Sequence, residues 1–284
     1  MRFPFQATCL ASALSLCLSM TGCQTTTTKT ADGRDEVFVF GAPKKKTSKP
    51  KKNSKGKKDT DSATQMAGSN TVPPPATGPL GTKDSYSSIK TNLPLVALTF
   101  DDGPHPENTP RLLDLLKSRN VKATFYVVGT NAQRHPGILR RMVAEGHEIG
   151  NHTITHGNLT KMTPDAIRKE LKTSHQTILS ATGVAPRSMR PPYGAITSDQ
   201  KAWIKREFGY PSIMWSVDPE DWKRPGPSVV ASRLVSGARP GGILLVHDIH
   251  KPTIDAMPSA IDQLLGKGFQ FITVSQLVAM DGKG

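Results

Sequence analysis

The residues best suited to chemistry fall in short clusters. Asp101 and Asp102 stand side by side in T-F-D-D-G-P at 99–104. Successive residues leaving a strand point in different directions, so two adjacent carboxylates can take different tasks. A second cluster, H-T-I-T-H at 152–156, puts two imidazoles four residues apart, close enough to share one ion if the chain turns between them. Each cluster alone is a weak signal, because D-D-G-P also reads as an ordinary turn and H-x-x-x-H arises often by composition. Together, His152, His156 and Asp102 offer two neutral nitrogen donors and one carboxylate oxygen, the set a zinc site uses while keeping a position for water. Three more polar groups follow: R-P-P-Y-G at 190–194, D-P-E-D-W at 218–222 and L-L-V-H-D at 244–248. His175 lies near the apolar side of a helical segment and reads as packed or solvated. His105, His135, His147 and His250 lack a paired spacing and receive no role.

Such scattered clusters need a scaffold that brings them to one place. From Leu93 onward, apolar and often β-branched runs alternate with helix-like segments. The expected strands are 95–100, 121–128, 147–151, 188–190, 212–217, 242–247 and 270–274, and most of the polar clusters fall just after one of them. Thr109-Pro110 and Thr163-Pro164 each place a capping hydroxyl before a proline that has no amide hydrogen to leave unsatisfied, a helix-start signal. After the second, Ile167, Leu171 and Ile178 recur at helical spacing. Strands alternating with helices predict a parallel α/β fold. About 190 residues are too few for a complete eight-stranded barrel, so the expectation is a distorted, incompletely closed barrel of about seven parallel strands. Its active rim is the carboxyl end of the strands.

The first third of the chain is different. Residues 1–93 hold 14 Lys or Arg against 6 Asp or Glu, a net +8 of the chain's +14. Most of the basic excess therefore lies outside any fold-like pattern, and no nucleic-acid motif accompanies it, so no nucleic-acid partner is expected. The three cysteines, Cys9, Cys17 and Cys23, all precede the patterned region, which excludes a disulfide framework. Arg2, an apolar run from Ala7 to about Met20 and the small pair before Cys23 have the anatomy of an export signal, and the run is too short to span a bilayer. The Thr21-Gly22-Cys23 ending resembles a bacterial lipoprotein signal, which implies cleavage after residue 22 and lipidation of Cys23, with an ordinary signal peptide and a secreted protein as the alternative. Met20, where such signals usually carry Leu, departs from that pattern. Residues 23–90, rich in Thr, Lys and Pro, are expected to be a disordered tether that holds an exported domain, residues 91–284, to a membrane of the cell envelope.

The order and spacing of T-F-D-D-G-P, H-T-x-x-H, R-P-P-Y-G, D-W and L-V-H resemble the five motifs of the polysaccharide deacetylase family, also called the NodB-homology domain or carbohydrate esterase family 4. The resemblance covers residues 94 to about 280. It implies a divalent ion, zinc by ligand chemistry with other transition metals admissible, held by Asp102, His152 and His156. It further implies Asp101 as general base, oriented by Arg190, and the Tyr193 backbone amide as oxyanion donor. His247 would protonate the leaving amine with Asp221 as its partner, and Trp222 and Leu245 would wall a pocket for the acetyl methyl. The substrate class implied is N-acetylglucosamine polymer. An envelope tether favours peptidoglycan, with chitin oligomers, poly-N-acetylglucosamine and acetylated xylan as alternatives. Two non-enzymatic readings stay open at this point: a glycan-binding module and a structural envelope tether.

Overall fold

The computed structural model describes residues 25–29, 35–39 and 80–281. The export signal, Cys23 and the lysine-rich run at 44–58 lie outside the described residues. Among those described, no helix is long and apolar enough to cross a membrane. Within the stretch read as tether, β1 (Thr25–Lys29) and β2 (Asp35–Val39) pair antiparallel. The threonine run and the apolar patch at 37–39 have the β-branched and aromatic composition that suits strands.

The second compact unit carries β3 (Ser85–Tyr86), β4 (Leu95–Asp101), β5 (Thr124–Val127), β6 (Glu148–Asn151), β7 (Ser212–Ile213), β8 (Gly242–His247) and β9 (Gln270–Phe271). All their mutual pairings are parallel. The continuous sheet runs β6-β5-β4-β8, with β9 beside the start of β4. The remaining circumference is spanned by the short β3–β7 pair and by single bridges, Ser88 to Gly242, Asn151 to Met189, Met189 to Ser212 and Val217 to Leu244. The barrel is thus distorted and not closed by a continuous ladder. Its helices are α1 (Asn108–Ser118), α2 (Gly129–Arg134), α3 (Pro136–Ala144), α4 (Pro164–Thr182), α5 (Ser198–Phe208), α6 (Pro227–Gly237), α7 (Lys251–Gly266) and α8 (Val274–Val278).

The period-2 alternation of β4 explains where the site lies. Val96, Leu98 and Phe100 join the outer core with Leu112, Leu234 and Ile261, residues of α1, α6 and α7. Leu95 and Ala97 join the inner core with Tyr126, Ile213 and Ile243. Thr99 and Asp101 continue that inner face, so the barrel axis changes from an apolar plug to a polar rim within one strand.

Three expectations need correction. The folded unit begins by Leu80, which is 3% exposed, and Tyr86 and Ile89 are also buried, so the tether ends earlier than residue 90. The expected strand at 188–190 is reduced to bridges at Met189, while β3, from the presumed tether, pairs with β7. Thr109 does not cap α1, which starts at Asn108 without a side-chain cap. Its hydroxyl instead accepts from the His105 amide at 2.8 Å and donates to the buried Asp248. Thr163 does cap α4, accepting from the Ala166 amide, and Ile167, Leu171 and Ile178 are all buried.

Candidate active site

Every site residue expected within the domain lies at the carboxyl rim. Asp101, Asp102, His152, His156, Tyr193, Trp222, Leu245 and His247 line one cleft of about 360 Å³, together with Trp215 and Asp218. Arg190 and Asp221 stand behind its wall, hydrogen-bonded to Asp101 and His247. Cys23 lies outside the described residues.

The ligand set is built from strand ends. His152 follows β6 directly and Asp102 follows β4. The Nδ1–H of His152 donates to the Arg190 carbonyl at 2.7 Å, and Nδ1 of His156 meets the Tyr193 hydroxyl at 3.2 Å. The carbonyl acceptor fixes the His152 tautomer and leaves its Nε2 lone pair free, and the Tyr193 hydroxyl can accept from His156 Nδ1 to the same end. Both Nε2 atoms face Asp102 Oδ1, at 3.4 Å from His152 and 3.1 Å from His156. That oxygen is buried and has no hydrogen-bond partner. Two imidazole nitrogens and a carboxylate oxygen converging on one point is an arrangement a cation satisfies, and the chemistry of the donors suits a divalent transition metal. Burial alone would push the Asp102 carboxyl up, but the imidazoles of His152 and His156 outweigh it and hold the group well below the usual carboxylate range. Among the described residues, seven non-glycine residues take positive φ, and five of them, Asp102, Thr153, His156, Tyr193 and Glu220, are in the site or its loops. Strain of this kind persists where the surroundings over-determine the backbone.

Two further pairs flank this set. Arg190 is fully buried. Its Nη1 donates to Asp101 Oδ1 and to Thr99 Oγ1, both at 2.7 Å, and Nε and Nη2 donate to the carbonyls of Ile213 and Met214. Across the β4–β8 ladder, Asp101 is in register with His247. His247 Nδ1 bonds Asp221 Oδ1 at 2.8 Å, and Asp221 Oδ2 accepts from the His247 amide and from the Thr253 hydroxyl. Burial lowers the His247 pKa, but Asp221 outweighs it, with contributions from Asp101 and Asp102, and lifts it to about 9. The imidazole is therefore a cation at neutral pH.

Sequence reasoning passed over several residues. Thr253 and Glu170 are polar residues inside helices whose partners are distant in sequence, so local pattern carries no signal for them. Asp248 ends the 244–248 cluster, whose pattern points to His247 alone. It is fully buried, its carboxyl is pushed up to about 7 by burial, and it crowds the Cα of Gly103 so closely that a Cβ there would strike both carboxylate oxygens. Gly103 is thus the residue that lets the D-D-G-P turn pass under Asp248. His175 is half-buried against the Tyr210 ring. The buried His147 receives the Ala123 amide, outside the cleft.

Fold and site together define a class: a parallel, open-barrel protein whose rim carries an Asp-His-His cluster that could hold a divalent ion, beside a buried Arg–Asp pair and a His–Asp pair. The polysaccharide deacetylase family profile matches residues 88–213. A chitooligosaccharide deacetylase of Bradyrhizobium is 42% identical over 197 residues, covering 64% of this chain and 90% of that protein. The peptidoglycan-N-acetylglucosamine deacetylase PgdA of Listeria monocytogenes is 40% identical over 182 residues, and the matched region spans 64% of this chain but only 38% of the relative. The crystal structure of a peptidoglycan N-acetylglucosamine deacetylase superposes with a TM-score of 0.66 at 38% identity, covering 68% of this chain and 92% of that one. The chain belongs to the polysaccharide deacetylase family.

Proposed function

We propose that the chain is a divalent-metal-dependent N-deacetylase of N-acetylglucosamine-containing polysaccharide, that its substrate is peptidoglycan, and that it releases acetate. The observation that carries this reading is the in-register pair of Asp101 and His247 beside the Asp102, His152 and His156 set in one cleft. A divalent ion bound there, zinc by its donor set, would acidify water and polarise the acetyl carbonyl. Arg190 occupies Oδ1 of Asp101, leaving Oδ2 to take the water proton as the water oxygen bonds to the carbonyl carbon. The hydrogen bonds of the 192–194 turn run from the Gly194 and Ala195 amides, leaving the Tyr193 amide for the developing oxyanion. The protonated His247 gives its proton to the nitrogen as the carbon–nitrogen bond breaks, and Asp221 holds the imidazole in place. The products are acetate and a free glucosamine amine. Leu245 and Trp222 wall the side of the cleft that takes the methyl group.

Peptidoglycan is supported by the named activity of two of the relatives above and by the envelope location implied by the N-terminal sequence. The Bradyrhizobium relative supports chitin oligomers as a second reading. The test is acetate release by the full chain from peptidoglycan, N-acetylated chito-oligosaccharides and acetylated xylan. Release from peptidoglycan is expected, lost on chelation and restored by zinc. Replacing both His152 and His156 by Ala should remove the ion from the protein by elemental analysis. Release from chito-oligosaccharide alone would select the second reading, and release from xylan alone would refute the N-deacetylase class.

An exported lipoprotein location is part of the same proposal, supported by Arg2, the apolar run and Thr21-Gly22-Cys23. Cys23→Ser should leave an uncleaved or soluble exported protein. Unchanged membrane fractionation together with unchanged signal cleavage would count against the lipid anchor.

A further inference from the structure

The stretch that holds the two imidazoles follows a path its residues resist. Thr153 and His156 have φ of 64° and 62°, and a β-branched residue is the least suited to that region. Local bonds are few: the Thr153 amide donates to Asn151 Oδ1 at 2.9 Å, and the His156 amide to Thr153 Oγ1 at 3.0 Å. The other constraints come from two helices. On one side the first turn of α2 donates to the loop, from the Gly129 amide to the Thr153 carbonyl at 2.9 Å and from the Thr130 amide to the Ile154 carbonyl at 3.0 Å. A Cβ at Gly129 would strike the end of the Ile154 side chain and come within 3.1 Å of its Cα and 3.3 Å of the Ser174 Cα, so this close approach favours glycine.

On the other side stands Glu170, in the middle of α4 and 9% exposed. Its Oε2 accepts the amides of Ile154 at 3.0 Å and Thr155 at 2.9 Å, and its Oε1 accepts the Thr155 hydroxyl at 2.8 Å. A buried carboxylate is costly unless its lone pairs are used, and here all three donors come from the loop between the histidines. The bonds thus fix the peptide units that set the separation of the two imidazoles. His152 has independent anchors in the end of β6 and the Arg190 carbonyl. His156, whose side chain is 25% exposed, is held by the loop, by the Tyr193 hydroxyl and by edge contacts with the His152 and Tyr193 rings, with no strand-end anchor of its own. Displacement of the loop would move His156 away from Asp102 while His152 stayed in place.

The geometry points to Glu170 as a positioning residue that sets divalent-ion affinity by holding the 153–155 peptides, without touching ion or substrate. This inference rests on the metal-dependent reading above. The experiment measures the zinc dissociation constant of the full chain by competition with a chromophoric chelator, alongside the melting temperature of the ion-free protein and the turnover at saturating zinc. Glu170→Ala should weaken zinc binding about tenfold or more, the scale on which residues supporting metal ligands act, while turnover at saturating zinc falls much less. Glu170→Gln should bind within about threefold of wild type, because its carbonyl can accept both amides and its NH₂ can donate to the rotatable Thr155 hydroxyl. Thr155→Val, which removes one of the three bonds and little else, should weaken binding by about two- to fivefold.

Wild-type affinity in Glu170→Ala overturns the inference and leaves the hydrolase reading standing. Equal weakening in Glu170→Gln and Glu170→Ala would assign the effect to charge and overturn the positioning role. If Glu170→Ala does not fold, Thr155→Val decides, and wild-type affinity there overturns the inference. A wild-type chain that binds no divalent ion overturns the metal-dependent reading and this inference with it.

Discussion

Asp101 and His247 occupy matching places on neighbouring parallel strands, and each leans on an oppositely charged partner, but the partners are held in contrasting ways. Arg190 is enclosed, stacked over Tyr126 at 4.4 Å and bonded to two carbonyls, a hydroxyl and Asp101. An arginine does not give up its proton, so everything on that side is fixed except one carboxylate oxygen. On the other side the partner is a buried carboxylate and the working group is a titratable imidazole with its side chain 15% exposed. The same strand register therefore carries two different devices, a carboxylate held by a permanent cation and an imidazole held by a buried carboxylate. Pairs of groups whose surroundings favour opposite protonation states are how one site performs acid and base chemistry at a single pH.

The largest effect should come from breaking the accepting side. Asp101→Asn keeps the size and the Arg190 contact but removes the basic oxygen, and should cost about 10²- to 10⁴-fold in kcat. The ion should remain, because Asp102, His152 and His156 are untouched. Elemental analysis together with acetate release checks this, and near wild-type turnover would dismiss Asp101 as the base.

The releasing side can be shifted instead of removed. Asp221→Asn deletes the charge that raises the His247 pKa to about 9, so the alkaline limb of kcat/KM should move toward lower pH. A cation at Asp102 would offset that carboxylate's share, placing the wild-type limb at or somewhat below about 9. The same pair affects stability with a definite sign. A histidine raised in the folded state stabilises fully below its unfolded pKa of about 6.5, and loses that contribution as pH rises through the folded value. Wild type should therefore lose stability between about pH 6.5 and 9, and Asp221→Asn should lose much less over that window. Parallel pH profiles of unfolding would show it. Identical slopes would mean that the pair contributes nothing.

The contrast also explains what could be read without coordinates. The strand ending in Asp101 has an apolar run, the two imidazoles have a spacing, and Thr163-Pro164 marks a helix start; each of these is local, and each found its place in the fold. The supporting groups have no local signature. Glu170 is one glutamate in a charged helix, and only the fold brings it to Thr155. Thr109 looked like a cap because the sequence could not show that Asp248 competes for its hydroxyl. Leu80, Tyr86 and Ile89 follow a proline-rich stretch and share its irregular pattern in sequence, although the fold buries all three. The strand at 188–190 was too short for its pattern to show that it contributes single bridges in place of a ladder.

The smallest effect tests how finely the releasing side is set. Thr253, 1% exposed in the first turn of α7, donates to Asp221 Oδ2 at 2.7 Å, while Oδ1 serves the imidazole. Thr253→Val keeps the volume and deletes the donor, leaving Oδ2 with the His247 amide alone. A hydrogen bond to a charged group contributes about 1.5–3 kcal/mol to stability, and losing it leaves a buried carboxylate under-satisfied. Two consequences should separate. Unfolding free energy should drop by about that amount at neutral pH. Asp221, released from one donor, should turn more of its charge to His247, so the alkaline limb of kcat/KM should stay or move slightly upward, opposite in sign to Asp221→Asn. Thr253→Ser, which restores the hydroxyl, should recover both measurements. If Thr253→Val instead shifts the limb downward as Asp221→Asn does, Thr253 aligns the carboxylate toward the imidazole more than it competes for its charge, and the donor is then part of the pair's geometry.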